Sequence, residues 1–215
     1  MGRLVVIEGL DGAGKRTLAD GLAAALIARG AAVTRLAFPR YGSNVHAELV
    51  RDALHGRLGD LADSVHGMAV LFALDRRDAT NRLLEVRASH DVVLLDRYVA
   101  SNAAYGAARL RQDAAGPFVA WVRALEIDRF GVPAPDVHLL LRVPVAVAAA
   151  RADSRAGGDT SRPRDAFEAD RGLQQRCAAV YDGLAARGWL APWLILDGTG
   201  ASPVSTDLTS RLLGG

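Results

Sequence analysis

The chain has 215 residues, 50% hydrophobic and 23% charged, a balance that supplies one compact domain with a full core. A net charge of +2 gives no field that would single out nucleic acid or a membrane surface as partner. The single cysteine, Cys177, excludes an intrachain disulfide and suits a cytoplasmic protein. No run reaches the roughly 18 apolar residues that span a bilayer, and the opening MGRLVVIEGLDG is too short in its apolar part for a secretory signal.

Leu4–Ile7 is a continuous apolar run before glycines and predicts a buried strand. Lys15–Arg29 has helical spacing and meets a terminating glycine at Gly30. A second strand over Ala32–Phe38 is closed by Pro39, and helical spacing follows over Asn44–His55 and Ala62–Arg87. Asp91–Asp96 is the clearest buried strand. Helices come next at Ala100–Gln112 and Pro117–Phe130, then a strand at Asp136–Leu141 and the start of a helix over Pro144–Ala152. Ser154–Arg164, rich in Gly, Arg, Ser and Asp, predicts a mobile loop. Phe167–Arg187 reads as helix, Trp193–Leu196 as a fifth strand and Val204–Leu213 as a last helix. Strands alternating with helices predict an α/β fold: a five-stranded parallel sheet covered on both faces, in one domain over 1–215 with a lid at about 154–164. Ligands bind such sheets at the C-terminal strand ends.

Gly9-Leu10-Asp11-Gly12-Ala13-Gly14-Lys15 fits G-x4-G-K between a strand and a helix. Glycines let backbone N–H groups turn inward onto phosphates, the helix N-terminus adds its dipole, and Lys15 adds a point charge. An ordinary glycine turn is the alternative, and the strand and helix on either side select the phosphate loop. Lys15 is the only lysine, so arginine supplies 25 of the 26 basic residues, yet a lysine remains at this one place. The pattern wants Ser or Thr next, to hold magnesium. Here Arg16 intervenes and Thr17 follows, so either Thr17 does part of that work or the metal sits elsewhere, leaving Arg16 to touch a phosphate.

With its one lysine in that loop, the chain cannot carry the Asn-Lys-x-Asp that reads guanine. Asp197–Gly200 matches D-x-x-G but reads as a turn. Leu94-Leu95-Asp96 resembles a Walker-type strand end, with Arg97 directly after it. Two readings of Asp96-Arg97 stand: a guanidinium at the sheet edge that grips an acceptor phosphate, or an ion pair that caps the next helix.

The segment Leu94-Leu95-Asp96-Arg97-Tyr98-Val99-Ala100-Ser101-Asn102-Ala103-Ala104-Tyr105, taken with Glu8–Lys15, resembles the signature of thymidylate kinases. Phe38-Pro39-Arg40-Tyr41, Leu71–Arg76 and Gln174-Gln175-Arg176 extend the resemblance along most of the chain. Lys15-Arg16-Thr17 and the arginine-rich late loop are most like mycobacterial-type members.

The resemblance implies a P-loop nucleoside-monophosphate-kinase fold that moves the γ-phosphoryl group of ATP to dTMP. It implies ATP on Gly9–Thr17, Phe72 stacked on thymine, and Arg76 and Asn102 on the base's polar edge. It implies Tyr105 beside the sugar, and Phe38, Arg40, Tyr41, Arg97, Ser101 and Asp165 among the other dTMP contacts. Spacing puts Met68, Phe72, Asp75 and Arg76 on one helix face, which is either core or the wall of a site. Mg²⁺ is implied at Asp11 and Glu168, both hard oxygen donors. Among Arg151, Arg155, Arg162 and Arg164, the resemblance points to Arg155 as the lid arginine on ATP, with Lys15, Arg97 and Asp11 completing the catalytic set. Asp96 is expected to orient Arg97. Gly106 and Phe167 depart from the family pattern. Relatives are homodimers, so a homodimer is expected here. Rival readings are another nucleoside monophosphate or deoxynucleoside kinase, and an ATP-binding regulatory protein without turnover.

Overall fold

The computed structural model describes residues 1–158, 171–200 and 203–214, without the side chains of 155–158 and 171. Five parallel strands form one sheet: β1 (Arg3–Glu8), β2 (Val33–Ala37), β3 (Val92–Asp96), β4 (Val137–Arg142) and β5 (Trp193–Asp197), in the order β2-β3-β1-β4-β5. Val5 lies opposite Leu94 on one side and Val137 on the other. The central strands are buried nearly end to end, which is why their sequences are apolar without alternation. β2 and β5 are edges and only half-buried.

The described helices are α1 (Lys15–Ile27), α2 (Val45–Leu54), α3 (Val65–Asp78), α4 (Thr80–Ser89), α5 (Val99–Arg109), α6 (Pro117–Arg123), α7 (Val145–Gly158), α8 (Arg171–Ala186) and α9 (Thr206–Leu213). The fold is the expected P-loop kinase α/β architecture. The chain leaves β1 toward β2 and β3 and crosses to β4 on the other side, so the crevice opens at the C-terminal ends of β1, β3 and β4.

Three elements differ from the sequence expectation. The helical spacing over Ala62–Arg87 resolves into a 3₁₀ turn (Gly59–Asp63), α3 and α4. Ser64 interrupts it because its hydroxyl accepts from Gly67 N at 3.0 Å, the preference of serine for helix starts. Pro117–Phe130 is α-helical only to Arg123, and Ala124–Arg129 winds as a π-helical turn. Beyond Ala152, where a loop was expected from Ser154, α7 continues to Gly158. Alanine and arginine favour helix there, and Ser154 Oγ returns its hydrogen to Ala150 O at 3.0 Å instead of breaking the turn. The rest of the expected lid, 159–164, lies outside the described residues.

Candidate active site

The phosphate loop joins β1 to α1, with Gly9, Gly12 and Gly14 all at positive φ. A Cβ on Gly9 would lie 2.7 Å from Leu141 O, and one on Gly12 only 2.0 Å from Ala148 O. The loop is therefore seated directly on the end of β4 and on α7. Its helix start carries no side-chain cap and no acidic residue in the first turn, so the N–H groups and dipole are left for an anion. Arg16 and Thr17 are exposed on that turn.

Lys15 is only 7% exposed, and its Nζ donates to Leu10 O at 2.8 Å and Gly9 O at 3.1 Å. Burial and the charge of Arg97 push its pKa from 10.5 down to about 8, against the pull of Asp11, Asp96 and Glu8. A triphosphate beside the ammonium would raise that pKa again, so binding takes up a proton near pH 8. Apparent ATP affinity is accordingly expected to fall up to tenfold per pH unit above about 8. Titration calorimetry at pH 8 in two buffers of different ionisation enthalpy checks this; equal heats in both would exclude proton uptake.

Arg97 follows β3 with φ 65, its N–H on Ile7 O at 3.0 Å. Its guanidinium pairs with Asp11 Oδ1, donates to Ser101 Oγ at 3.1 Å and Tyr105 OH at 3.4 Å, and lies 5.3 Å from the Tyr105 ring centroid. Tyr105 OH in turn donates to Asp11 Oδ2 at 2.5 Å. Burial alone would raise the Asp11 pKa, but Arg97 and Lys15 outweigh it and hold the carboxyl well below the usual range. Asp11 is thus an anion at any working pH. The expectation that Asp96 orients Arg97 is corrected in part: among the described residues no hydrogen bond joins them, Asp96 acts on the guanidinium only through its charge, and its Oδ1 is buried with no hydrogen-bond partner. Asp11, Ser101 and Tyr105 hold Arg97 because its positive φ turns the side chain across the sheet edge toward the loop.

Nor does an Asp96–Arg97 pair cap α5. Glu8, fully buried at the end of β1, does so, accepting from Tyr98 N at 2.9 Å and Ser101 N at 3.2 Å. It also accepts from Ser101 Oγ at 2.6 Å and from Tyr181 OH of α8 at 3.0 Å. Burial raises the Glu8 pKa in spite of these donors and the charges of Arg97 and Lys15.

On another face of α5 a second cluster forms. Arg76 of α3 makes a two-point ion pair with Glu126, 2.5 and 2.7 Å, and Asn102 Nδ2 donates to Glu126 Oε1 at 2.8 Å and Ala69 O at 3.0 Å. The helix face with Met68, Phe72, Asp75 and Arg76 divides. Met68 is core, packed with Val50, Ala53 and Leu54, while Phe72 is half-buried at the edge of that cluster. Asp75 is buried and holds Arg40, accepting from its N at 2.9 Å and Nε at 2.7 Å; Arg40 Nη2 also reaches Asp78 at 2.7 Å. Arg40 thereby ties the segment after β2 to α3. Phe38 is buried against Tyr98, 5.7 Å between centroids, and Tyr41 is exposed. Gly106 has a packing reason: a Cβ there would lie 2.0 Å from the Phe118 ring.

So the structure joins Asp11, Arg97, Ser101 and Tyr105 in one network beside Lys15, places Arg76 with Asn102 in a second, and Arg40 in a third. Arg151 bridges Ala13 O at 3.3 Å and Gly198 O at 2.9 Å, pinning the phosphate loop to the turn after β5. That turn is closed by Asp197 Oδ1 on Thr199 N, as its D-x-x-G reading as a turn requires. Asp165, Glu168, Phe167, Arg162, Arg164 and the Arg155 side chain lie outside the described residues. Among the described residues no three His, Cys, Asp or Glu side chains gather into a metal-binding group.

The thymidylate kinase family model matches residues 7–191. The chain belongs to the thymidylate kinase family. It is 53% identical over 193 residues to proteins named thymidylate kinase from two strains of Mycobacterium tuberculosis, CDC 1551 and H37Rv, covering 90% of each chain. A thymidylate kinase of Xanthomonas oryzae pv. oryzae is 38% identical over 189 residues, covering 87% of this chain and 74% of its own. The family match bears out the resemblance carried by the Leu94–Tyr105 segment and Glu8–Lys15. Three residues of the first two networks carried no assigned role in the sequence reading: Glu8, Glu126 and Tyr181. Glu126 had a signal, an acid within the largely apolar Pro117–Phe130, and Glu8 had one as a carboxylate ending an apolar strand. Tyr181 had none.

Proposed function

We infer that the chain transfers the γ-phosphoryl group of ATP to dTMP, giving dTDP and ADP. The observation that carries the mechanism is the placement of Arg97, locked by Asp11, Ser101 and Tyr105, at the strand ends next to the phosphate loop. A dTMP phosphate oxygen attacks the γ-phosphorus in line, the bond to the β-bridging oxygen breaks, and ADP leaves. The acceptor is already an anion, so no strong base is needed. Lys15 offsets charge on the donor side and Arg97 on the acceptor side, while uncapped N–H groups of the loop and α1 hold the donor phosphates. Asp11 keeps Arg97 aimed and Tyr105 faces the sugar. Arg155, Asp165 and Glu168 keep the roles that the family resemblance implies.

The donors present fit Mg²⁺, since Asp96 has a buried carboxylate oxygen with no partner at the end of β3. Asp96 and Asp11 would hold the ion with Glu168, and it would offset charge on the phosphates. No helix among the described residues is long and apolar enough to cross a membrane. A cytoplasmic homodimer completes the proposal.

ADP release from Mg·ATP with dTMP, dUMP, dCMP, dGMP, AMP and thymidine as acceptors tests the reading. Turnover is expected to be highest with dTMP; preference for another acceptor would overturn the base-site assignment. Asn102→Ala is expected to raise KM for dTMP about tenfold to a hundredfold with KM for ATP nearly unchanged. Equal losses for both substrates would make Asn102 structural.

A further inference from the structure

We propose that Glu126 is a positioning residue that decides which pyrimidine the site accepts, by setting the donor and acceptor order that Arg76 and Asn102 present. The inference rests on the reading that the acceptor base lies against Arg76 and Asn102.

Glu126 is fully buried in the π-helical turn that ends α6, a local widening that re-aims side chains and recurs at functional sites. Its carboxylate takes Arg76 Nε and Nη2 together, leaving Nη1 as the guanidinium nitrogen without a hydrogen-bond partner among the described residues. Asn102 spends both amide hydrogens, one on Glu126 Oε1 and one on Ala69 O. Carboxylate and carbonyl oxygens accept only, so the amide cannot be turned the other way. Asn102 Oδ1 is left as an acceptor, and neither it nor Arg76 Nη1 is among the sealed polar atoms without partners.

The free groups are therefore one donor and one acceptor on neighbouring helices. Thymine and uracil offer the complement, an N3–H donor beside the O4 acceptor. Cytosine offers N3 as acceptor beside an amino donor, so both contacts would be mismatched. An unmatched polar pair in a closed site is a strong basis for rejection. The acid does not touch the base; it acts by denying Asn102 its other orientation.

Glu126→Gln keeps the shape but introduces an amide that can donate to Asn102 and let it turn. The expected result is a dTMP kcat/KM at least tenfold lower, carried by KM for dTMP rather than KM for ATP, and a dTMP-to-dCMP preference reduced at least tenfold. A purely structural role would lower both acceptors together, and an unchanged ratio in a folded variant overturns the proposal. Glu126→Asp keeps an acceptor-only group, so KM for dTMP rises while the ratio stays within about threefold of the native one. Collapse of the ratio in this variant also overturns the proposal, including when Glu126→Gln does not fold. A native protein that takes dCMP as well as dTMP, or an Asn102→Ala variant with no selective loss, instead defeats the base-site reading on which the inference stands.

Discussion

Lys15→Ala is expected to lower kcat by about a hundredfold to a thousandfold, the effect of removing one preorganised charged donor from a transition state. The fold should not suffer. The ammonium is buried beside Arg97, and among the described residues its hydrogen bonds go to two carbonyls of its own loop. It titrates near 10.5 when unfolded and near 8 in the fold, so at neutral pH the charge costs the native state on the order of 3 kcal/mol. That cost fades as pH rises from 8 to 10.5. Removing the side chain relieves it, offset by two lost hydrogen bonds of about 1 kcal/mol each. Thermal unfolding of Lys15→Ala at pH 7 should thus match or exceed the native midpoint while turnover collapses. Near-native kcat would remove the phosphate-loop mechanism, and a collapse in stability would show the lysine to be structural.

Gly12→Ala is expected to abolish measurable ATP binding at millimolar nucleotide and to destabilise the fold by about 2–4 kcal/mol. Two independent demands meet at this position. Its φ of 81 lies in the region that side chains avoid, and a Cβ would sit 2.0 Å from the backbone oxygen of Ala148. A backbone oxygen in α7 cannot step aside as a flexible side chain would, so the loop must leave its seat and the N–H groups lose their convergence. Gly14 is the internal comparison. It too has positive φ, but a Cβ there finds nothing closer than 3.8 Å, so Gly14→Ala carries only the conformational strain. Nucleotide titration and denaturant melts of the two variants check the argument. Equal behaviour would mean that contact with α7 does not hold the loop.

Arg97 shows how far the chain could be read without its fold. Its place after a buried strand put it at the sheet edge, and its neighbour Asp96 was the natural partner in sequence. The structure hands it instead to Asp11, 86 positions away, and to Ser101 and Tyr105 one and two turns along α5. The same holds at Arg76, whose charge is met by Glu126, 50 positions away and in a turn whose spacing imitates an ordinary helix. The break at Ser64 was available from serine's preference for helix starts, but the apolar spacing on either side masked it.

By itself the sequence determined the sheet, the phosphate loop and the family, because apolar run length, glycine spacing and a strand-ending Asp-Arg are local features that a few consecutive residues specify. Only the tertiary structure decided that Glu8 caps α5, that Asp11 rather than Asp96 holds Arg97, and that Glu126 sets the orientation of Arg76 and Asn102. Those choices follow from burial: a charge taken from water must find its partner among whatever groups the folded chain brings within hydrogen-bond reach, and local spacing carries no record of them.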